Sequence, residues 1–301
     1  MNFSDSNNAA ARRALVFGGS GQIGERLLLK LQAAGWQVVA FSRSAQPARP
    51  GLQWRQGDLS QPWTGQERFD AIFSCGPLDH FARWYAQSGI DAARVVAFGS
   101  TSIEVKQDSA DAAERDVAQR LQQAEAELFA RAAQRAVAAT VLRPTLVYGA
   151  GRDKTLTSIA TLASRSGFFA LPVSATGLRQ PVHVQDLADA ALAVVDQPIS
   201  AGRAYALGGG EVLAYHQMVA RTLASLPARP RLLRVPSLLF AGAVGIAHLG
   251  GRLSSLNSAV IQRMAEPLVF DLAPARRDFG YAPRAFVAEA AMFTAASDRA
   301  Q

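Results

Sequence analysis

Apolar, β-branched runs recur through the first half of the chain with helical patterns between them: RALVFGG, WQVVAFSR, LQWRQGD, FDAIFSCG, RVVAFGST and VAATVLRP. Strands that alternate with helices pair in parallel through right-handed crossovers, and helices then cover both faces of the sheet. The pattern predicts an α/β fold with a doubly wound parallel sheet whose strand order reverses after the third strand. A long helix over 112–136 carries an apolar stripe of Val117, Leu121, Ala124 and Leu128.

After about residue 150 the rhythm changes. Glycine- and proline-punctuated segments such as FFALPVSATGLRQPVHV and YALGGGEVLAY stand between shorter helices. We read residues 13–150 as the sheet domain and 151–301 as a smaller C-terminal lobe integrated with the same body, on the substrate side. The polar opening, residues 1–12, lacks the basic-then-apolar order of a signal peptide and reads as a disordered tail.

Composition narrows the function classes. Cys75 is the single cysteine, which excludes a disulfide framework and a multi-cysteine metal site and fits a reducing, cytoplasmic setting. The most apolar run, VPSLLFAGAVGIAHLGG from Val235, is too short for a bilayer and is broken by Pro236, glycines and His248; it reads as a buried or partner-facing helix, so no membrane span is expected. The net charge of +7 is almost all arginine, since the lysines are Lys30, Lys106 and Lys154. The arginines are scattered, not gathered into a stripe with aromatics. That pattern argues against nucleic acid and suits an anionic small molecule.

ALVFGGSGQIGERLLLKLQAAG places Gly18, Gly21 and Gly24 between a strand and an amphipathic helix that opens at Gln22 and Ile23. Gly18 permits a tight turn, Gly21 lets backbone approach a pyrophosphate, and Gly24 lets the helix pack close to the strand; the helix N-terminus then offers free N–H groups to the anion. The alternative is a tight turn with no ligand.

This Gly-x-x-Gly-x-x-Gly spacing, with GDLS, LRPTLVYGAG, RQPVHVQDLADAAL, YALGGGEVLAYHQMV and RRDFGYAPRAF in order behind it, resembles the extended short-chain dehydrogenase/reductase group, the NAD-dependent epimerase/dehydratase family. The resemblance covers nearly the whole chain. It implies a Rossmann fold in which Asp58 and Leu59 hold the adenine, Ser74, Cys75 and Gly76 run beside the adenosine ribose, and Ser100 and Pro144 lie along the cofactor. Asp58 as a plain turn residue is the alternative. Cys75 is expected as a small apolar wall, since no histidine is adjacent in sequence to activate it; the alternative is a nucleophile activated by His80, five residues on. The second strand ends at Ser42, Arg43 and Ser44 without the carboxylate that selects NAD, and Arg43 can pair with a 2′-phosphate. NADP(H) is therefore expected over NAD(H), against the alternative of a solvated Arg43.

Family catalysis implies a Ser or Thr after the fifth strand and a Tyr-x-x-x-Lys pair on the next helix. Thr101 matches the first, with Ser102 beside it. The pair is absent: the residues four before Lys30, Lys106 and Lys154 are Arg26, Ser102 and Ala150. The dyad positions fall at Asp116 and Arg120 or at Val117 and Leu121. Two substitutes remain, Tyr148 in the YGAGR loop, which carries Arg152 at the right spacing, and Lys106 just after the hydroxyl loop. Each has a plainer alternative, a lining tyrosine and a solvated lysine.

On the substrate side, Arg179 stands where nucleotide-sugar members of the family meet a phosphate. His183 is a substrate-binding candidate or a structural histidine, and Asp186 is the expected N-cap of the helix that follows. Two readings survive. One is an NADP(H)-dependent oxidoreductase or epimerase-like enzyme acting on a small carbonyl compound or nucleotide sugar without the tyrosine, with a homodimer left open. The other is a catalytically inactive NADP(H)-binding sensor or scaffold.

Overall fold

The computed structural model describes residues 11–61, 63, 65–240 and 262–293. Seven strands form one parallel sheet. Six are the expected ones: β1 (Arg13–Phe17), β2 (Gln37–Ser42), β3 (Leu52–Gln56), β4 (Arg68–Ser74), β5 (Asp91–Phe98) and β6 (Ala138–Pro144). The order β3-β2-β1-β4-β5-β6 reverses after β3, which opens a crevice at the carboxyl ends of β1 and β4. A seventh strand, Arg203–Leu207, pairs with β6 from beyond the expected boundary at residue 150. The C-terminal half therefore completes the sheet of the N-terminal half.

Helices cover both faces because each sheet face is apolar. On one face, α1 (Gln22–Ala33) buries Ile23, Leu27, Leu28 and Leu31 at helical spacing, beside a helix over Val184–Val195 that buries Leu187, Ala191 and Val194. On the other, α2 (Leu78–Gln87) and the long helix α4 (Ala112–Gln134) bury Phe81, Trp84, Tyr85, Ala124, Leu128 and Ala132 against β4, β5 and β6. Between β5 and α4 lies α3 (Ser102–Val105), a single turn. α4 starts at the expected residue and ends at Gln134, two short of expectation, because Ala136 takes a positive φ of 53° and turns the chain.

The lobe has its own core. Tyr148, Leu156, Ile159, Leu171, Met218, Leu223 and Phe286 form a third cluster around α5 (Leu156–Ser166). The apolar run from Val235 lies mostly outside the described residues, as does most of the expected tail. Among the described residues no helix is long and apolar enough to cross a membrane, and no cluster of His, Cys, Asp and Glu could hold a metal.

Candidate active site

The strand-to-helix turn after β1 is shaped by its glycines. Gly18 has φ +70°, a left-handed conformation that glycine adopts without penalty. A Cβ on Gly24 would lie 2.1 Å from the Gly18 carbonyl oxygen, so only glycine lets α1 pack this close to β1. The N-cap is Gly21, which brings no side-chain acceptor to the first N–H groups of α1. The Gln22 Oε1 is buried there without a hydrogen-bond partner. The open helix N-terminus, with its free N–H groups, fits a bound pyrophosphate, whereas the Gln22 oxygen can accept only from a donor group of a ligand.

The residues that the resemblance assigns to the adenosine stand at the tips of β2, β3 and β4. Asp58 accepts from the Ser60 hydroxyl at 2.5 Å and from the Ser60 backbone N–H at 2.8 Å, and these two bonds, with the nearby Arg43 cation, hold its carboxyl below the usual range. Asp58 thus carries a turn and faces Arg43 at once. Arg43 is exposed, its backbone carbonyl fixed by Gln56 Nε2 at 3.3 Å. Leu59 packs half-buried on the α2-side core. The Cys75 N–H donates to Phe17 O at 2.9 Å, which seats the Cys75–Gly76 loop against Gly18; burial pushes the thiol up to about 12, so no thiolate forms near neutral pH. A Cβ on Gly76 would meet only open space.

The hydroxyl loop sits where β5 and β6 end. The Thr101 backbone N–H and Oγ1 both donate to Pro144 O, each at 3.2 Å, while Ser100 Oγ donates to Ser102 Oγ at 3.0 Å. These residues line a cavity of about 230 Å³ together with Lys106, Arg179 and Arg263. Lys106 Nζ lies 3.6 Å from Glu114 Oε1, and Arg263 pairs with the same carboxylate. The structure therefore brings Thr101, Ser102, Lys106 and Arg179 to one cavity.

Both pairs of positions that the resemblance offers for the absent dyad lie on α4. Val117 and Leu121 line a second cavity, of about 240 Å³, with Gly76, Phe98 and Gly99. Arg120 borders the same cavity, where it pairs with Asp79 at 3.3 Å and with Asp116 at 2.9 Å. Neither pair of positions holds a phenol and an ammonium, and Val117 and Leu121 both border this cavity.

Three other expected site residues have structural partners. Tyr148 is 1% exposed, packed against His183, Phe286 and Phe293, and burial pushes its phenol up to about 12. It does not line the hydroxyl cavity. Arg179 donates to Leu178 O at 2.8 Å, to Glu266 O at 2.7 Å and to Arg263 O, so its fork ties the 263–266 segment to the lobe. His183 is the N-cap of the Val184–Val195 helix: its Nδ1 accepts from the Gln185 N–H at 3.2 Å. This corrects the expectation for Asp186, which lies inside the first turn and accepts from Arg284 Nε at 2.7 Å. His183 caps because β-bridging of Val182 and His183 to Val147 and Tyr148 holds the chain extended up to that point.

Sequence reasoning missed the role of Glu125 and Arg143. The Arg143 Nε donates to Glu125 Oε1 at 2.9 Å beneath Gly99, and NH1 donates to Glu104 at 3.0 Å, which braces the floor of the hydroxyl loop. It also missed Glu114 and Arg263, whose partnership needs the folded lobe.

Fold, phosphate turn and hydroxyl loop define a doubly wound α/β protein with a dinucleotide-type crevice. The model of the NAD dependent epimerase/dehydratase family matches residues 14–130 and 118–208, and the chain belongs to that family. It is 27% identical, over 92% of this chain and 96% of the relative, to a 2-alkyl-3-oxoalkanoate reductase of Stenotrophomonas maltophilia (strain K279a). Its fold is similar to that of a UDP-galactose 4-epimerase, with a TM-score of 0.69 at 16% identity over 94% of this chain and 97% of that one. It is also similar to MoeE5 in complex with UDP-glucuronic acid and NAD, with a TM-score of 0.66 at 20% identity over 91% and 94%.

Proposed function

We propose that the protein is a cytoplasmic NADP(H)-dependent oxidoreductase that reduces a carbonyl compound. The observation that carries this reading is the shared cavity of Thr101, Ser102 and Lys106 at the mouth of the crevice. The dinucleotide would lie along Gly18, Gly21 and Gly24, with its adenosine by Asp58, Leu59, Cys75 and Gly76, and it supplies the hydride. Arg43, with no carboxylate at the end of β2, would pair with a 2′-phosphate and favour NADP(H). Ser100 holds Ser102 Oγ, which leaves the Ser102 proton for a substrate oxygen. The Thr101 hydroxyl would turn its single proton from Pro144 O to the same oxygen, and the Lys106 ammonium would supply the proton that the tyrosine supplies elsewhere in the family. Tyr148 and His183 have no part in it, since both are spent on packing and capping. The 2-alkyl-3-oxoalkanoate reductase supports reduction as the direction of chemistry; the MoeE5 complexes with UDP-sugars support a nucleotide sugar as the other substrate class.

A second reading, an inactive NADP(H)-binding sensor or scaffold, is favoured by Val117 and Leu121 at the dyad positions. The deciding measurement is NADPH oxidation on a panel of ketones, aldehydes and nucleotide sugars, with calorimetry of NADPH and NADH binding to the wild type and Arg43→Ala. The first reading expects turnover lost in Lys106→Met and a preference for NADPH above about tenfold, lost with Arg43. Binding without turnover would establish the second.

A further inference from the structure

Arg152 belongs to the lobe, yet it reaches across the crevice to the phosphate turn. Its NH1 donates to Ser20 O at 2.7 Å and its NH2 lies 3.2 Å from Glu25 Oε1 in the first turn of α1. Ser20 O is one residue before the Gly21 cap, so the guanidinium stands at the edge of the open N–H groups of α1.

The loop that presents Arg152 is held on both sides. The Gly151 N–H donates to Met292 O at 2.8 Å. Asp153, next in the chain, accepts from the N–H groups of Thr155, Leu156 and Thr157 at 3.1, 2.6 and 3.1 Å. Gly149 and Gly151 have φ of +107° and +65°, which lets the chain turn sharply enough to aim the next side chain outward. A planar fork of donors fixed beside an anion-binding helix end is suited to a pyrophosphate. Glu25 holds the fork in the meantime. A carboxylate in the first turn favours the bare helix end but repels a bound anion, and the guanidinium offsets that repulsion.

We propose that Arg152 is a pyrophosphate clasp: on cofactor binding it leaves Glu25 and closes over the diphosphate from the lobe side. This rests on the dinucleotide reading of the crevice. The plainer account is a surface tie between lobe and sheet, since exposed ion pairs contribute little.

Calorimetric titration of the full chain separates the two accounts. The ligands are NADPH, NADH and ADP-ribose, which carry a pyrophosphate, and adenosine 2′,5′-bisphosphate, which does not. Arg152→Ala should weaken the first three about tenfold and leave the fourth within about twofold, while Glu25→Gln should tighten the first three by about twofold to fivefold. Equal effects of Arg152→Ala on all four ligands, no effect at all, or weaker binding by Glu25→Gln would overturn the clasp while leaving the cofactor reading intact. A wild type that binds none of the four would remove both.

Discussion

Thr101 donates to the Pro144 carbonyl with both its backbone N–H and its hydroxyl, so the loop after β5 is stitched to the end of β6 through one residue. The hydroxyl has a single proton, so it braces the loop in this state and reaches a substrate oxygen only by turning away from Pro144 O. Thr101→Val keeps the shape and removes the second bond. We expect a stability loss of about 1 kcal/mol with turnover lowered at least about tenfold, and recovery of turnover in Thr101→Ser. Thermal melts and NADPH kinetics together check it; unchanged turnover would leave the hydroxyl with the bracing role alone.

The glycines of the phosphate turn should fail in different ways. A Cβ on Gly21 meets only Gly18 O, at 3.1 Å, whereas one on Gly24 falls 2.1 Å from Gly18 O and 2.8 Å from Gly19 Cα. Gly21→Val should fold and lose dinucleotide binding. Gly24→Ala should cost about 1–3 kcal/mol by overpacking. Circular dichroism, melts and calorimetry on both variants separate these outcomes.

His183 predicts a pH dependence. Burial, then the nearby Arg284 cation, holds its imidazole below the ordinary 6.5. The unfolded chain therefore takes up the proton first as pH falls, and stability present above about pH 6.5 is lost toward the lower folded value. His183→Asn keeps an acceptor for the Gln185 N–H but cannot titrate. Its melting temperature should start lower, because the ring contact with Tyr148 is gone, and fall less between pH 7 and 5 than that of the wild type. Parallel slopes would assign the effect elsewhere.

The register of α4 predicts a gain. Val117→Tyr combined with Leu121→Lys places a phenol and an ammonium one turn apart beside Gly99, in a cavity of about 240 Å³. Turnover should rise at least about tenfold, with the pH profile of a titrating phenol, while Val117→Phe with Leu121→Met fills the space and changes nothing. A folded double variant with wild-type kinetics would refute the register.

Five of the six strands were legible as short apolar runs, several with both faces buried, and β3 by its place in the alternation of strands and helices; the sheet's reversal follows from the crossovers. The seventh, RAYAL, was not, because it lies past residue 150, after the alternation of strand and helix has broken down, and its partner β6 is about 60 residues back along the chain. The glycine spacing and the hydroxyl loop were legible because they are local. Arg179 and Tyr148 were harder, since what occupies them comes from far along the chain, the carbonyls of 263 and 266 and the rings of Phe286 and Phe293. Asp186 had the residue type of a cap but the wrong register, which the bridge at His183 sets.

The pairing of Arg203 with Thr140 also fixes an order of events at the ribosome. When β6 leaves the exit tunnel its outer edge has no neighbour, and the chain between must emerge before the seventh strand can cover it. Throughout that interval the hydroxyl loop, hung on Pro144, rests on an open sheet margin able to recruit strands from other nascent chains. A stop before residue 203 would leave that margin bare for good, so fragments cut near residue 150 should aggregate where the full chain does not.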